Sequence, residues 1–201
     1  MGALIYEDTL QQVHGGDKHA AKHEWWAAHG VEVVRTRFDG RHGVPWSFGD
    51  YCADGSNVVV DTKQHLSELS SNLGREHGRF KGEIRRANDD GCLLVVLVES
   101  GEVHALDEVR RWVNAHCRRC AHFYRKACAP LEDGVCLKHG TKKPLQGEVM
   151  AKQMATMQAT RSVRFEFCGP DDSARRICEL LGVRYDNDEQ RQVNRCDEIL
   201  H

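Results

Sequence analysis

The chain lacks any apolar run near the ~20 residues that a membrane-spanning helix needs, and its first residues lack the pattern of a secretory signal. It also lacks a marked net charge, with 28 Lys and Arg against 30 Asp and Glu and a formal charge of −2. These absences argue against a membrane partner and give no global attraction to a polyanion. A nucleic-acid partner would therefore have to be met by a local basic face. An even cysteine framework is missing as well: the count is nine, which points to reduced thiols and a metal site in a cytoplasmic protein, away from a disulfide scaffold. What is present is ordinary globular composition, 40% hydrophobic and 29% charged over 201 residues, enough to bury a core in about one domain.

Strand and helix patterns alternate along the chain. Leu4–Tyr6 reads as a short first strand. Gly15-Gly16-Asp17 punctuates, and Asp17 can cap a helix that runs to about His29 and stops at Gly30. Val31–Arg37 alternates apolar with polar as a strand does. Leu66, Leu69 and Leu73 fall at helical spacing up to Gly74, and Arg75–Asn88 forms a second helical stretch with Phe80, Ile84 and Ala87 inward. Cys92–Glu99 reads as a central buried strand, Leu106–Val113 as a helix, Val163–Cys168 as a strand and Asp171–Leu181 as a helix. Met150, Met154 and Met157, with Val149, recur at helical spacing and suit a core or a dimer surface. Trp25 and Trp26 read as packing residues, with base stacking the lesser alternative. The alternation predicts an α/β fold, a mixed central sheet flanked by helices.

Between Trp46 and Lys63 lies a hairpin signal: a half-polar strand, a turn of Asp, Gly, Ser and Asn, then Val58-Val59-Val60-Asp61-Thr62-Lys63. Alternation sends Asp61 and Lys63 to one side and Val60 and Thr62 to the other. The turn can bring Asp50 alongside. Two carboxylates and a lysine at a strand end suit Mg²⁺ or Mn²⁺, which keeps waters and takes phosphate oxygens from a substrate. The lysine can orient or deprotonate water, or offset phosphate charge. The competing reading is a solvated strand whose polar residues face water. The apolar run of three valines argues against that.

In this order of elements the chain resembles the nuclease domain of XPF-type structure-specific endonucleases, a branch of the PD-(D/E)xK, restriction-endonuclease-like superfamily. The resemblance rests on Glu7-Asp8-Thr9-Leu10-Gln11 after the first strand, Gly49-Asp50-Tyr51, Asp61-Thr62-Lys63, and the basic stretch from Asn72 to Lys81 before a buried strand. It covers roughly residues 3–115 and 145–182, with compact phage- and prophage-type relatives nearest. Asp61-Thr62-Lys63 stands where the family usually has Glu-Arg-Lys, Ser67 stands at the position of a further acid with Glu68 next to it, and Leu10 and Gln11 replace Arg and Glu. The resemblance implies a nuclease core over residues 1–115 and 144–185, with Asp50 and Asp61 holding the metal and Lys63 activating water. It assigns Asp8 a second ion or a metal-bound water, leaves Gln64 a weaker candidate, and implies a homodimer.

Two basic stretches suit a phosphate backbone. Arg75, Arg79, Lys81, Arg85 and Arg86 follow the hairpin. Arg110, Arg111, Arg118, Arg119, Arg125 and Lys126 run without an acid between them. The second run coincides with a metal motif, Cys117-Arg-Arg-Cys120 followed by Cys128 and Cys136, four thiols for tetrahedral Zn²⁺ in a segment with little else to hold it. His139, or His116 or His122, can replace one ligand. Segment 116–143 then reads as a zinc-binding insertion and 186–201 as an acidic tail. Cys52, Cys92, Cys168, Cys178 and Cys196 stand singly. The whole predicts a metal-dependent DNA endonuclease, selective for DNA shape and serving recombination, repair or phage DNA processing. The alternatives are a catalytically silent, zinc-stabilised DNA-binding adaptor and a ribonuclease with the same site.

Overall fold

The computed structural model describes residues 3–11, 19–40, 46–121, 135–136 and 144–186. The fold is α/β, with flanking helices and a mixed six-stranded sheet in the order β2-β1-β3-β4-β5-β6. Its strands are β1 (Ala3–Asp8), β2 (Val31–Thr36), β3 (Tyr51–Cys52), β4 (Val58–Lys63), β5 (Leu93–Glu99) and β6 (Val163–Cys168). The helices are α1 (Ala20–Ala28), α2 (Leu66–Leu73), α3 (His77–Asp89), α4 (Ala115–Arg118), α5 (Gly147–Thr160) and α6 (Ser173–Leu181). Among the described residues no helix is long and apolar enough to cross a membrane. The chain divides into two compact units, Met1–Val60 with Asp171–His201, and Asp61–Pro170.

In the first unit β1 runs parallel to β2, joined through α1, and antiparallel to β3. Trp26 anchors α1: it is fully buried and its Nε1 donates to the Ala174 carbonyl of α6 at 3.1 Å. Burying so large a ring with its polar tip satisfied suits Trp and few other residues. α1 begins at Ala20 with His19 at its cap, and Asp17, expected to cap it, lies outside the described residues. The turn into β3 depends on Gly49, whose φ is +73° and where a Cβ would sit 2.3 Å from Val59 Cγ1. Both facts require glycine.

In the second unit β5 is buried on both faces along nearly its whole length and pairs in parallel with β6, Leu94 opposite Val163 through Glu99 opposite Cys168. A run of Leu and Val with no alternation is the signature of a strand covered on both faces. It lies one strand from the sheet edge, where the sequence suggested a central place. α2 and α3 bury the stripes expected of them, Leu66, Leu69 and Leu73, then Phe80, Ile84 and Ala87. Met150, Met154 and Met157 of α5 are core, while Val149 is 46% exposed.

The segment expected to be a helix at Leu106–Val113 is instead one turn of 3-10 helix, Glu108–Arg111. The N-terminus of α5 explains this. Gly147 N–H donates to the Trp112 carbonyl at 3.1 Å, and a Cβ on Gly147 would lie 2.0 Å from the Val109 carbonyl oxygen. The α5 backbone thus presses against carbonyls that a longer helix would need.

Candidate active site

Two structural facts set out the polar residues at the hairpin. Asp50 N–H donates to the Val60 carbonyl at 2.7 Å, one residue before Asp61, and the Asp50 carbonyl accepts from Asp8 N–H at 2.8 Å. The bond between Asp8 and Asp50 continues the ladder in which Glu7 lies opposite Tyr51, and the side chains of Asp8 and Asp50 are both buried. Asp8 Oδ1 accepts from the N–H groups of Leu10 and Phe38, both at 3.1 Å, so this oxygen fixes the chain where it leaves β1.

In the second unit Asp61 and Lys63 are brought together as their spacing predicts. Lys63 Nζ donates to Asp61 Oδ1 at 2.6 Å and to the Thr62 carbonyl at 3.3 Å. Asp61 is 2% exposed, and its Oδ2 is buried with no hydrogen-bond partner among the described residues. A half-satisfied buried carboxylate is costly unless a cation or donor completes it. Its surroundings are already used. Glu68 Oε2 accepts from Gln64 N–H at 3.0 Å while Glu68 N–H donates to His65 Nδ1 at 3.1 Å, a reciprocal cap on α2. Glu68 is therefore a capping residue, and Gln64 serves through its backbone.

The fit to metal differs between the two ions. Among the described residues no three His, Cys, Asp or Glu side chains gather in a group ready for a metal. Mg²⁺ does not require one, because it binds through one or two carboxylates and keeps its waters. The orphaned Asp61 Oδ2 is the right donor for it. Structural Zn²⁺ requires four ligands. Cys117, Cys120 and Cys136 are buried free thiols, and Cys120 N–H bonds back to the Cys117 carbonyl at 3.0 Å. Gln146 Nε2 donates to Cys117 Sγ at 3.2 Å. Cys128, His122 and His139, with Arg125 and Lys126, lie outside the described residues, as does the acidic tail beyond Asp186.

The basic residues fall into two sets. Arg75 lies just before α3; Arg79, Lys81, Arg85 and Arg86 are on it, and all five are exposed. Arg79 forks onto Glu76 Oε2 through Nε at 3.2 Å and a terminal nitrogen at 2.9 Å. That hydrogen bond holds its guanidinium above the ordinary range, helped by the charges of Glu76, Glu83 and Asp61. Arg118 is forked onto Glu102, which it holds below the usual carboxylate range, and Arg119 is exposed. His77, at the start of α3, is pushed down by burial and then by the nearby charges of Lys81 and Arg161.

Sequence reasoning missed a polar cluster beneath α1. Glu7 is fully buried. It accepts from Tyr51 OH at 3.1 Å and faces Arg35 Nε and His23 Nε2, each at 3.0 Å, while His19 Nδ1 lies 3.2 Å from Tyr51 OH. Register explains the meeting, since Glu7 lies opposite both Arg35 and Tyr51. The available signal was His19 and His23, four apart and so on one helix face.

No protein-family profile and no curated protein matches this chain.

Proposed function

We propose that this chain is a metal-dependent endonuclease that hydrolyses phosphodiester bonds in DNA. One observation carries the reading: Asp61 is a buried carboxylate with one oxygen held by Lys63 at 2.6 Å and the other left without a partner. Asp61 Oδ2 would hold Mg²⁺ or Mn²⁺. Bound there, the ion would polarise a phosphate oxygen and lower the pKa of a water. Lys63 hydrogen-bonds the attacking water, or offsets the charge of the phosphate, from an Nζ that already points at Asp61. Asp50 and Asp8 enter as further metal-side carboxylates on the strength of the sequence motif. A zinc-binding insertion around Cys117, Cys120, Cys128 and Cys136, pairing of two copies, and a part in recombination, repair or phage DNA processing complete the proposal.

The test is cleavage of labelled linear, flap and four-way-junction DNA with Mg²⁺ or Mn²⁺. Wild type and the Asp61→Ala, Lys63→Ala and Asp50→Ala variants are compared, each checked for folding by circular dichroism. The reading expects cutting by wild type and a loss of at least about a hundredfold in the Asp61 and Lys63 variants. Undiminished cutting in both, or none by wild type with any divalent ion, would sink it. DNA that is bound but never cut supports the adaptor instead.

A further inference from the structure

We infer that the outward face of α3 is a seat for the phosphate backbone of duplex DNA. This rests on the reading of DNA as the substrate and adds where and how the duplex is gripped. Around a helix that turns 100° per residue, Phe80, Ile84 and Ala87 define the buried side of α3. Gly78 and Gly82, four apart, lie directly opposite, facing outward. Lys81 and Arg85 form one flank of this glycine line, and Arg79 and Arg86 form the other. The helix thus presents a shallow trough with two cationic walls.

The details of the trough agree with an anionic occupant. A Cβ on Gly78 would meet nothing within 4 Å, and one on Gly82 would meet only the Arg86 guanidinium at 3.7 Å. Arg86 therefore holds its charge over the floor of the trough. Neither Lys81 nor Arg85 has an acidic partner among the described residues, whereas Arg79 is steadied by Glu76. Of the acids of the helix, Glu83 stands beside Arg79 on the outer side of that flank, and exposed Asp89 falls on the glycine line at the C-terminal end, where it closes the trough. Two glycines on the outer side of a helix interior, Gly78 exposed and Gly82 half-buried, weaken the helix, and among the described residues no neighbour requires them. They let a chain of phosphates approach the helix backbone more closely than any side chain would allow.

Charge complementarity selects a phosphodiester strand, and the absence of a stacking platform selects the duplex. Proteins that hold single strands stack bases on aromatic rings. α3 carries no Tyr or Trp, its one Phe, Phe80, is fully buried, and the His77 ring at its first turn is half-buried. Contacts of this kind read backbone position and leave base sequence unread.

The experiment measures binding of a labelled DNA duplex by the full chain with no Mg²⁺ or Mn²⁺ added and no chelator, across a series of salt concentrations, so that cutting plays no part and bound zinc stays in place. Lys81→Ala with Arg85→Ala should weaken binding at least about tenfold and lower the slope of log affinity against log salt by about 2. Gly78→Leu with Gly82→Leu changes no charge, yet should weaken binding by a similar factor while the Tm stays level or rises. Gly78→Ala alone should raise the Tm by about 2–4 °C, as a favourable helix substitution does in a chain of this size. Affinity and salt slope unchanged in both double variants would overturn the seat. So would tighter binding of single-stranded DNA, or of an RNA duplex of the same sequence. A chain that binds through α3 and never cuts would leave the seat standing and remove the nuclease reading. A chain that cuts while the α3 variants bind normally would do the reverse.

Discussion

Lys63 Nζ reaches back two residues along its own strand to Asp61 Oδ1 at 2.6 Å and leaves Oδ2 buried without a partner. The pair is buried on both sides, with side-chain exposures of 9% and 4%, so neither charge can turn to water if the other is removed. Lys63→Met is expected to cost about 3–5 kcal/mol because it strands a buried carboxylate. Adding Asp61→Asn to that variant should recover part of the loss. Urea unfolding of wild type, both single variants and the double variant gives the cycle, and additive losses would contradict a coupled pair.

Metal should stabilise the same carboxylate. Whatever binds only the folded state adds about 2.7 kcal/mol at roughly a hundred times its Kd. Millimolar Mg²⁺ or Mn²⁺ is therefore expected to raise the Tm of wild type by several degrees and to leave Asp61→Asn unmoved. Equal shifts in the two proteins would place the ion elsewhere.

The cluster around Glu7 predicts a site of instability within the first unit. Glu7→Ala removes the acceptor shared by Tyr51, Arg35 and His23 and should cost about 3–5 kcal/mol. Tyr51→Phe deletes one hydrogen bond to that carboxylate and should cost about 1.5–3 kcal/mol. A combined variant no worse than Glu7→Ala alone would show that both act through one network.

Gly147 offers a steric test. Its missing Cβ would lie 2.0 Å from the Val109 oxygen and 2.6 Å from that of Trp112, backbone atoms that cannot swing aside. Gly147→Ala should destabilise by about 3 kcal/mol, as overpacking does. Gly101→Ala, where a Cβ meets nothing within 4 Å, should stay within about 0.5 kcal/mol. Denaturant midpoints compare them directly.

Burial pushes the Cys178 thiol up from 9.0 to about 12. The folded state then keeps a proton that the unfolded chain releases, so this residue removes stability as pH climbs from the unfolded value toward the folded one. Between about pH 9 and pH 12 wild type should lose stability faster than Cys178→Ala. The thiol should also resist iodoacetamide in native protein at pH 8 and react on unfolding.

Elements defined by periodicity were legible in the chain, since burial of one face leaves a mark every two residues or every three to four. β6 matched at both ends, and the inner faces of α2 and α3 matched residue by residue. The Asp61–Lys63 pairing was legible for the same reason, because a two-residue offset in a strand needs no tertiary information. The 3-10 turn at Glu108–Arg111 was not, because what shortens it is the backbone of Gly147, far away in sequence. The Glu7 cluster was hidden too. It depends on the register of β1 against two other strands, and register is not written within a single segment. Glu68, the carboxylate nearest to where the resembled family has a further acid, is a helix cap, a role that its spacing from His65 also allows.

The pairing of β5 with β6 carries a consequence for how the protein is made. Leu94 finds its neighbour in Val163, so everything in 95–162 must be synthesised before the two strands can meet. Until then Leu-Leu-Val-Val-Leu-Val stands as an uncharged, β-prone stretch free of proline and glycine, the composition of a self-stacking segment. Such long-range parallel pairing closes slowly. The newborn chain's yield in the cell therefore depends on how long that strand waits for its partner, and on what shields it meanwhile.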